Sequence, residues 1–539
     1  MDCSWISPVE LPGTTDLYSG YLCDFPRVAN FYIHPPNAKG IADAVRQIHL
    51  DDSVRRGVVD VLREQNRAFG GDDSTAQSLD RLRDGAVAVV TGQQVGLFGG
   101  PAYSVYKALT AVHVARELTA SGTNAVPVFW LATEDHDLAE VNHCIIPKRG
   151  AFERFDLSVD GPADRRVGDI RLGEPVREIA KQIGALLSGP CAEKICQWIE
   201  ECYAPEETFG SAFGKLMTRI FAGRGLIFLD PMSPQLHRLA LPAMRAALKD
   251  HVSLAMELVA RSEALEKAGF HAQVKVTEQS TLLFRIVDGQ RLPLRPANGG
   301  LLAGNKAGSI EETLWAMEER PEDFSPSALL RPVIQDSLLP TVAYIAGAAE
   351  VAYHAQTSLL YRKLLGHAPA ILPRAGFTLV PQHVASLLKK YGLDVREVLE
   401  GRHKLRARLE AEALPGALSA RFDEGERAIQ SAIDALREPI GKLDQTLLGA
   451  LDNASEKILY QFNGIRSKAG RAEGFRTGVL DKHENEIAGA LFPDNALQER
   501  SFGLLTFLAS EGPELLDELD RHIKTDGGHC FLYLPPPAR

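Results

Sequence analysis

The chain has 539 residues, of which 45% are hydrophobic, 24% charged and 7% aromatic, a composition typical of an ordinary globular protein. Its 70 acidic and 59 basic side chains give a formal net charge of -11, which argues against nucleic acid or an anionic membrane surface as the main partner. The length exceeds what one hydrophobic core supports, so we expect two to four structural units.

The sequence shows no pattern of membrane insertion or export. The first residues, MDCSWISPVE, lack a cationic region followed by an apolar stretch, and no uninterrupted apolar run reaches the roughly 18 residues that a membrane span needs. Seven cysteines are sparse and odd in number, which suits a reducing compartment. We therefore expect a cytoplasmic protein.

The first strong structural pattern is a βαβ unit. AVAVVT (86–91) is a short valine-rich run, typical of a strand buried on both faces. Pro101 suits the first position of the amphipathic helix that follows, and AVPVFWLA (125–132) predicts the next strand. Strand, loop, helix and strand in this order indicate a parallel sheet.

Later patterns predict more of the same sheet. GLIFLD (225–230), TVAYIAG (341–347) and AILP (370–373) have strand character, and helices follow the first two. Between them, Asp288-Gly289 is a good hairpin turn, and Ser309 with Glu312 forms a capping box that opens a short helix. We therefore predict an α/β fold with a doubly wound parallel sheet that carries two insertions.

The predicted domain organisation has seven segments. They are the first half of the core (1–149), a mostly helical insertion (150–221), a continuation of the core (222–266), a small β-rich insertion (267–324), the second half of the core (325–380), an α-helical coiled-coil region (381–500) and a C-terminal segment (501–539).

A coiled-coil seam is predicted within the helical region. Its apolar residues recur in alternating steps of four and three, followed by a second step of four at the end, at Ile429, Ile433, Leu436, Ile440, Leu443, Leu447, Ala450, Ala454 and Ile458. We expect one long helix, kinked at Pro439. The partner of its seam is either the stretch with Leu405, Leu409 and Ala413 or a second subunit. We also expect the protein to be a homodimer joined through the helices of 381–500.

The glycine-rich loop after the first strand predicts an anion-binding site. A loop that enters a helix presents free backbone N–H groups and the positive end of the helix dipole, and glycine lets a ligand come close. No lysine follows the glycines within the loop, so it does not match a P-loop. The candidate binding residues here are Gly92, Gln93, Gln94, Gly96, Gly99, Gly100, Tyr103 and Lys107.

Tyr103 and Lys107 leave two alternatives open. The loop approaches the TGxxxGxG pattern of short-chain dehydrogenases and the pair forms a YxxxK, so an NAD(P)-dependent oxidoreductase is one alternative. In those enzymes the Tyr–Lys pair belongs to a helix far downstream, whereas here it belongs to the first helix. The other alternative is structural, with Tyr103 packed against the stem of Lys107.

Acidic residues follow the second strand in TEDHDLAEVNH (133–143). Carboxylates at the carboxyl end of a parallel strand lie where such sheets bind ligands, and they can transfer protons, bind a metal or hold an amine. Asp137 and Glu140 also fit a helix cap. The catalytic candidates are Glu134, Asp135, His136 and Asp137, and the binding candidates are Asn142 and His143. No dedicated metal site is predicted.

A third motif, LLRPVIQDSLLPTVAYIAGAAEVAYHAQ (329–356), surrounds the strand at 341–347. The helix after Gly347 offers a second N-terminal anion site. A structural alternative has Arg331 and Asp336 as an ion pair between elements. The candidate binding residues of this motif are Arg331, Gln335, Asp336, Gly347, Glu350 and Tyr353.

The motifs TGQQVGLFGGPAYSVYKALTAV, PVFWLATEDHDLAEVNH and LLRPVIQDSLLPTVAYIAGAAEVAYHAQ, in this order, resemble the cysteine ligase family of bacillithiol biosynthesis over nearly the whole chain. The resemblance implies a Rossmann-like core, a coiled-coil region linked to dimerisation, and a small-molecule reaction. In that reaction, the last step towards a low-molecular-weight thiol, cysteine is joined to the amino group of glucosaminyl malate. The matching positions include Gly92–Gln94, Glu134–Asp137 and Arg331.

The resemblance also suggests a nucleotide. The family's core is distantly similar to that of class I aminoacyl-tRNA synthetases, which implies ATP or ADP by analogy. The chain lacks a HIGH-like and a KMSKS-like motif, and Ala348 stands where the family commonly has proline. A non-catalytic coiled-coil scaffold of the pathway is a further alternative.

Overall fold

The computed structural model describes residues 1–162, 164–297, 299–412, 414 and 416–536, and for 473–477 the backbone only. Ala413, part of the stretch expected to pair with the coiled-coil seam, lies outside the described residues. In the part of the chain that is described, no helix is both long enough and apolar enough to cross a membrane.

The strands are β1 (Cys3–Ile6), β2 (Val87–Gln93), β3 (Ala125–Leu131), β4 (His143–Lys148), β5 (Ala151–Asp156), β6 (Ile227–Leu229), β7 (Leu283–Val287), β8 (Gln290–Pro293), β9 (Arg295–Ala297), β10 (Gly300–Ala303), β11 (Lys306–Gly308), β12 (Phe324–Pro326), β13 (Thr341–Ala346), β14 (Ala370–Pro373), β15 (Gly376–Val380) and β16 (His529–Tyr533).

The α-helices up to the end of the core are α1 (Asp16–Cys23), α2 (Phe25–Val28), α3 (Ala38–Gln47), α4 (Asp52–Phe69), α5 (Asp73–Arg83), α6 (Tyr103–Ala120), α7 (Leu138–Val141), α8 (Pro175–Leu186), α9 (Ala192–Cys202), α10 (Phe209–Ile220), α11 (Pro234–Lys249), α12 (His251–Lys267), α13 (Ile310–Glu319), α14 (Arg331–Leu338) and α15 (Ala348–Leu364). The later helices are α16 (Gln382–Lys390), α17 (Val395–Leu399), α18 (Arg402–Glu412), α19 (Gly416–Leu443), α20 (Leu447–Thr477), α21 (Val479–Leu491), α22 (Gln498–Ser501), α23 (Leu505–Glu511) and α24 (Leu515–Arg521).

The core is a five-stranded parallel sheet with the strand order β14-β13-β2-β3-β6. After β2, the next two strands of the sheet, β3 and β6, are added on one side of it. The last two, β13 and β14, are added on the other side. The order therefore reverses between β2 and β13, and open α/β sheets bind ligands beyond the carboxyl ends of the strands at such a reversal. The predicted doubly wound sheet is confirmed.

Helices cover both faces of this sheet. On one face, Val90 and Trp130 belong to the same buried cluster as residues of α4, α11 and α15. On the other face, Phe129 and Leu131 pack with Val105 and Leu109 of α6. Because successive side chains of a strand point to opposite faces, the continuous apolar runs seen in the sequence are what a sheet covered on both sides requires.

The hairpin turn and the capping box predicted between the core strands both form, and one predicted segment boundary divides a hairpin. Asp288 and Gly289 connect β7 to β8 with positive φ values of 51° and 79°, as a two-residue hairpin requires, and Ser309 caps α13 in a capping box. The boundary predicted at 149/150 instead divides the antiparallel hairpin of β4 and β5. A turn at Arg149-Gly150, where Gly150 has a φ of 75°, holds its two strands together.

The C-terminal region also differs from the prediction of one long helix. The expected seam is interrupted after Leu443, and α19 and α20 fold back on each other as a helical hairpin. Asp444 accepts a hydrogen bond from the backbone N–H of Thr446, which stabilises the turn. The two helices therefore pack on each other, but most of the predicted seam faces outward, because Leu436, Leu443, Leu447, Ala450, Ala454 and Ile458 are exposed. Leu405 and Leu409 pack in a different cluster.

A small sheet, β1-β16-β15, joins the first strand of the chain to the C-terminal segment. His529 of β16 is 1% exposed, and its Nε2 lies 2.8 Å from Thr378 Oγ1. Burial lowers the pKa of His529 from 6.5 to about 4, because a charged imidazolium would be poorly solvated there.

This shift predicts a loss of stability in acid. The unfolded chain takes up a proton at His529 near pH 6.5, whereas the folded protein resists it down to about pH 4. The contribution is therefore complete above pH 6.5 and falls as the pH drops to 4, by on the order of 3 kcal/mol. In urea unfolding at pH 7 and 4.5, His529→Gln should lose less stability than the wild type. A loss equal to that of the wild type would contradict the assignment, and the exposed His49→Gln serves as control.

Candidate functional site

Two adjoining cavities open at the carboxyl edge of the core sheet. The larger has a volume of about 740 Å³ and lies between the sheet and the β-rich insertion. The smaller, of about 400 Å³, lies over the reversal point between β2 and β13, where Gly92 and Gly347 contribute to its wall. Sheet topology thus places both cavities where doubly wound folds bind ligands.

Arg331 faces both cavities. Its Nη1 donates to Gln335 Oε1 at 2.9 Å, and its Nη2 donates to the hydroxyls of Tyr353 at 2.9 Å and Tyr344 at 3.3 Å. These acceptors are all neutral, and no carboxylate of the described chain lies within ion-pair distance of the guanidinium. A cation held by neutral groups at a cavity wall is suited to bind a carboxylate or a phosphate.

Lys107 and Glu350 form a buried ion pair in the wall of the smaller cavity. Lys107 Nζ lies 2.5 Å from Glu350 Oε2 and also donates to Gly92 O and Gln93 Oε1. Burial lowers the pKa of Lys107, although the charge of Glu350 opposes this effect. Glu350 also accepts from the backbone N–H of Gly347, so the pair ties the end of β2 to the start of α15.

This arrangement gives no support to the oxidoreductase alternative. The ammonium of Lys107 is fully engaged by Glu350, Gly92 and Gln93, so it is not free to act with a tyrosine on a cofactor. The guanidinium carbon of Arg374 lies over the ring of Tyr103, 5.5 Å from the ring centroid.

Asp135 is the carboxylate that lies at the meeting point of the cavities. It accepts hydrogen bonds from the backbone N–H of His136 at 2.7 Å and from Gln94 Nε2 at 2.9 Å. Burial alone would raise the pKa of Asp135, but hydrogen bonds from His136 and Gln94 and the charge of Arg291 hold it well below its usual range. Asp135 is therefore ionised at neutral pH and suited to bind a cation rather than to accept a proton.

Arg291 reaches this carboxylate from the β-rich insertion. Its guanidinium lies 3.9 Å from Asp135 Oδ1 and donates to His136 Nδ1 at 3.0 Å. Because a guanidinium only donates, this hydrogen bond requires the ring proton of His136 on Nε2. Arg291 is 7% exposed and stacks on Phe284 at 3.8 Å, so its position is fixed by packing.

Glu134 lies in the wall of the larger cavity and pairs with His237 of α11. Glu134 Oε1 is 3.2 Å from His237 Nε2, and both side chains are buried. Burial would lower the pKa of His237, but the charge of Glu134 raises it. The pair is a buried carboxylate–imidazole dyad beside the cavity, and it can exchange a proton with a bound molecule only through Glu134.

The residues predicted at the glycine loop fall into two groups, because Gly92, Gln93, Gln94, Tyr103 and Lys107 line the smaller cavity, whereas Gly96, Gly99 and Gly100 do not. The N–H of Gly99 donates to the hydroxyl of Tyr203, and that of Ala102 donates to Phe502 O. A Cβ on Gly96 would lie 2.7 Å from the Cα of Gly100. Gly96, Gly99 and Gly100 therefore serve close packing, and none of them lines the two cavities. At the second predicted anion site, Glu350 itself occupies the cap of α15.

Several other predicted residues support the site without lining the cavities. Asp336 accepts hydrogen bonds from Gln335 and Tyr361 beneath Arg331, and burial raises its pKa to about 6. Gln335 bridges it to Arg331, in place of the direct ion pair considered as an alternative. Asp137 caps α7, as its capping pattern predicts.

Asn142 and His143 do not lie in the two cavities. The side chain of Asn142 donates to Leu157 O, and His143 Nδ1 contacts Ala139 O, so both stabilise local structure around β4. In the described part of the chain, no group of three or more His, Cys, Asp or Glu side chains could hold a metal ion.

Sequence analysis missed Arg291, His237 and Arg374. Arg374, in the wall of the smaller cavity, binds Glu499 with both guanidinium ends and directly follows β14. The rule that selected residues after the other strands could have found it. Arg291 follows a hairpin turn and His237 lies within a helix, and neither position carries a signal in a single sequence.

Comparison with known proteins agrees with this architecture. The family described as "Bacillithiol biosynthesis BshC, N-terminal Rossmann-like domain" matches residues 3–375, and "Bacillithiol biosynthesis BshC, C-terminal coiled-coil domain" matches residues 377–534. A protein of Koribacter versatilis named "Putative cysteine ligase BshC" is 40% identical over 96% of this chain and 97% of its own length. A protein of Solibacter usitatus with the same name is 37% identical over 96% of each chain.

Proposed function

Because the chain belongs to the BshC family of bacillithiol biosynthesis, we propose that it is a ligase that joins cysteine to the amino group of glucosaminyl malate. The reaction would be the last step in making the thiol bacillithiol. Its relatives carry the name cysteine ligase. The chemistry of the two adjoining cavities supports the proposal.

The observation that carries the proposal is the meeting of opposite charges between the cavities. Asp135 is ionised, and Arg331 is a cation without a carboxylate partner in the described chain. Both line the larger and the smaller cavity. Two charged substrates can thus bind in separate spaces and react where these spaces join, which lowers the entropic cost of bringing them together.

The proposal includes activation of the cysteine carboxyl group. Amide formation from a carboxylate and an amine is unfavourable in water, so the carboxyl group needs conversion to an anhydride with phosphate or a nucleotide. ATP is the simplest source, by analogy with aminoacyl-tRNA synthetases. Arg500, which lines the smaller cavity, would hold either phosphates or the malate carboxylates.

Direct assay tests the proposal. Purified protein is incubated with cysteine and glucosaminyl malate, with and without ATP, and the products are analysed by mass spectrometry. We expect a product whose mass is the sum of both substrates less one water, formed only when ATP is present. Product formed without ATP would contradict the activation step. Folded protein that makes no product with any nucleotide would contradict the proposed function and favour a scaffold role.

We also propose a homodimer through the helical hairpin of α19 and α20. Apolar side chains on this hairpin are exposed, among them Leu436 at 51%, Leu443 at 81% and Leu447 at 42%. Runs of exposed apolar residues on a helical surface favour a protein partner. A second copy of the same hairpin would bury them in a symmetric contact.

Charged substitutions on the exposed apolar surface of the α19–α20 hairpin should dissociate the dimer. We expect sedimentation equilibrium to give about twice the chain mass of 58.8 kDa for the wild type, and a monomer for the double variant Leu436→Glu/Leu443→Glu, because buried unpaired carboxylates oppose association. Val252→Glu, a change at an exposed residue of α12, is the control and should remain dimeric. A dimer that survives the double variant would place the contact elsewhere.

A further inference from the structure

The point where the two cavities join has a chemistry of its own. Five residues line both cavities, and this junction consists of Trp130, Ala132, Asp135, Ala328 and Arg331. Two of them, Ala132 and Ala328, have small side chains that leave space. The other three carry an indole, a carboxylate and a guanidinium, and these groups decide what the junction can bind.

Trp130 supplies the observation that points to a ligand. The residue is 2% exposed, and within the described chain its Nε1 is buried without a hydrogen-bond acceptor. Buried indole N–H groups usually have a partner, because leaving a buried donor unpaired costs about 1–3 kcal/mol. Gly92 lies directly beside Trp130 in the sheet register, and a Cβ at that position would lie 3.1 Å from the Trp130 side chain.

Arg331 adds a second group that can only donate. Its three acceptors, Gln335, Tyr344 and Tyr353, are neutral. Lys107 and Glu350, in the wall of the smaller cavity, pair with each other. The guanidinium of Arg331 therefore remains without a carboxylate partner in the described chain. An indole N–H and a guanidinium together fit an acceptor with negative charge, such as a carboxylate, and they exclude an amine.

Asp135 favours a positively charged hydrogen-bond donor at the same junction, in contrast to Trp130 and Arg331. Its carboxylate only accepts hydrogen bonds, and it remains ionised because Gln94 and the N–H of His136 donate to it. A ligand with one ammonium and one carboxylate on the same carbon would satisfy both ends. Zwitterionic α-amino acids have this arrangement.

We infer that the junction is the subsite for the α-amino acid, with the carboxylate held by Trp130 Nε1–H and Arg331 and the ammonium held by Asp135. The inference deepens the proposed function and rests on it for the choice of cysteine. Trp130 is thereby a binding residue, because its indole contacts the carboxylate that reacts.

Nuclear magnetic resonance of the full chain labelled with ¹⁵N-tryptophan tests the inference. The chain has four tryptophans, and the Trp130 indole signal is assigned by elimination from the variants Trp5→Phe, Trp198→Phe and Trp315→Phe. L-Cysteine and 3-mercaptopropionate, which both carry the carboxylate, should shift this signal. Cysteamine, which lacks the carboxylate, should leave it in place. Inorganic phosphate serves to distinguish a phosphate site from a carboxylate site.

Binding measured by calorimetry gives a second readout. Trp130→Phe keeps an aromatic ring at this position and removes the indole N–H donor. It should therefore weaken L-cysteine binding about 10-fold. Trp315→Phe, a change at a residue 65% exposed, is the matched control and should bind normally. The inference is overturned if cysteamine shifts the Trp130 signal, if phosphate shifts it more strongly than cysteine, or if Trp130→Phe binds cysteine as the wild type does.

The inference and the proposed function fail in different ways. Carboxylate-dependent shifts of the Trp130 signal in a protein that forms no amide would support the amino acid subsite and overturn the ligase. Amide formation by Trp130→Phe with an unchanged kcat/KM for cysteine would support the ligase and overturn the subsite.

Discussion

Asp135→Asn should lower kcat/KM for cysteine ligation by about 100-fold, since removing one member of a desolvated charge contact costs about 2–5 kcal/mol. The substitution is nearly isosteric, and the one oxygen of the amide can still accept the N–H of His136. The amide NH2 that replaces the other oxygen cannot accept from Gln94 Nε2, so the variant loses the negative charge between the cavities and one hydrogen bond. The measurement is steady-state product formation with cysteine varied, on protein whose unfolding midpoint matches that of the wild type.

The neighbouring Asp137 provides the control. It is exposed and accepts the N–H of Glu140 as the cap of α7, and asparagine caps helices as well as aspartate does. Asp137→Asn should therefore retain activity within a few fold. Because the pKa of Asp135 lies well below its usual range, its charge is constant between pH 5 and 8, and the pH profile of the Asp135→Asn variant should keep the shape of the wild-type profile. Equal activity of both variants would remove Asp135 from the site.

Lys107→Met should lower the free energy of unfolding by about 3–5 kcal/mol, which is the usual cost of leaving one member of a buried ion pair alone. The change leaves Glu350 without its cation and removes the donor to Gly92 O and Gln93 Oε1. These contacts hold the end of β2 against the start of α15. Urea unfolding at pH 7 measures the effect.

A double-variant cycle separates the pair from the packing of the lysine stem. In Lys107→Met/Glu350→Gln no charge remains unpaired, so its loss of stability should be smaller than the sum of the two single losses. The control is Lys442→Met, whose partner Glu438 lies on an exposed face of α19, and this variant should unfold like the wild type. Additive losses in the cycle would show that the two charges do not interact.

The strands of the core could be predicted from short stretches of sequence, because the residues within each stretch determine whether it forms a buried strand or a turn. The valine-rich run before Gly92 and the run that contains Trp130 form adjacent parallel strands, since only a sheet covered on both faces buries such runs completely. The turn at Asp288-Gly289 is also local, because positive φ at both residues is a property of the turn itself.

Partners far along the chain explain what the sequence did not reveal. The sequence pattern of the glycine loop shows no acceptor for its backbone N–H groups. In the fold, the N–H of Gly99 donates to Tyr203 and that of Ala102 donates to Phe502. Both acceptors lie more than 100 residues away in the sequence. The apolar period of the seam predicted helix, yet a turn at Asp444 divides the seam between α19 and α20 and leaves most of its residues exposed. A single sequence records periodicity well and records such distant contacts poorly.

The guanidinium of Arg291 links the β-rich insertion to the core. This contact limits the insertions and deletions that the hairpin of β7 and β8 can accept. Surface hairpins normally accept added or deleted residues. Here a one-residue deletion between Leu283 and Arg291 would reverse the face from which Arg291 projects and withdraw the cation from Asp135. Insertions and deletions should therefore be far better tolerated at the turn after Ala303, where Gly304 and Asn305 connect the two strands of the separate hairpin of β10 and β11.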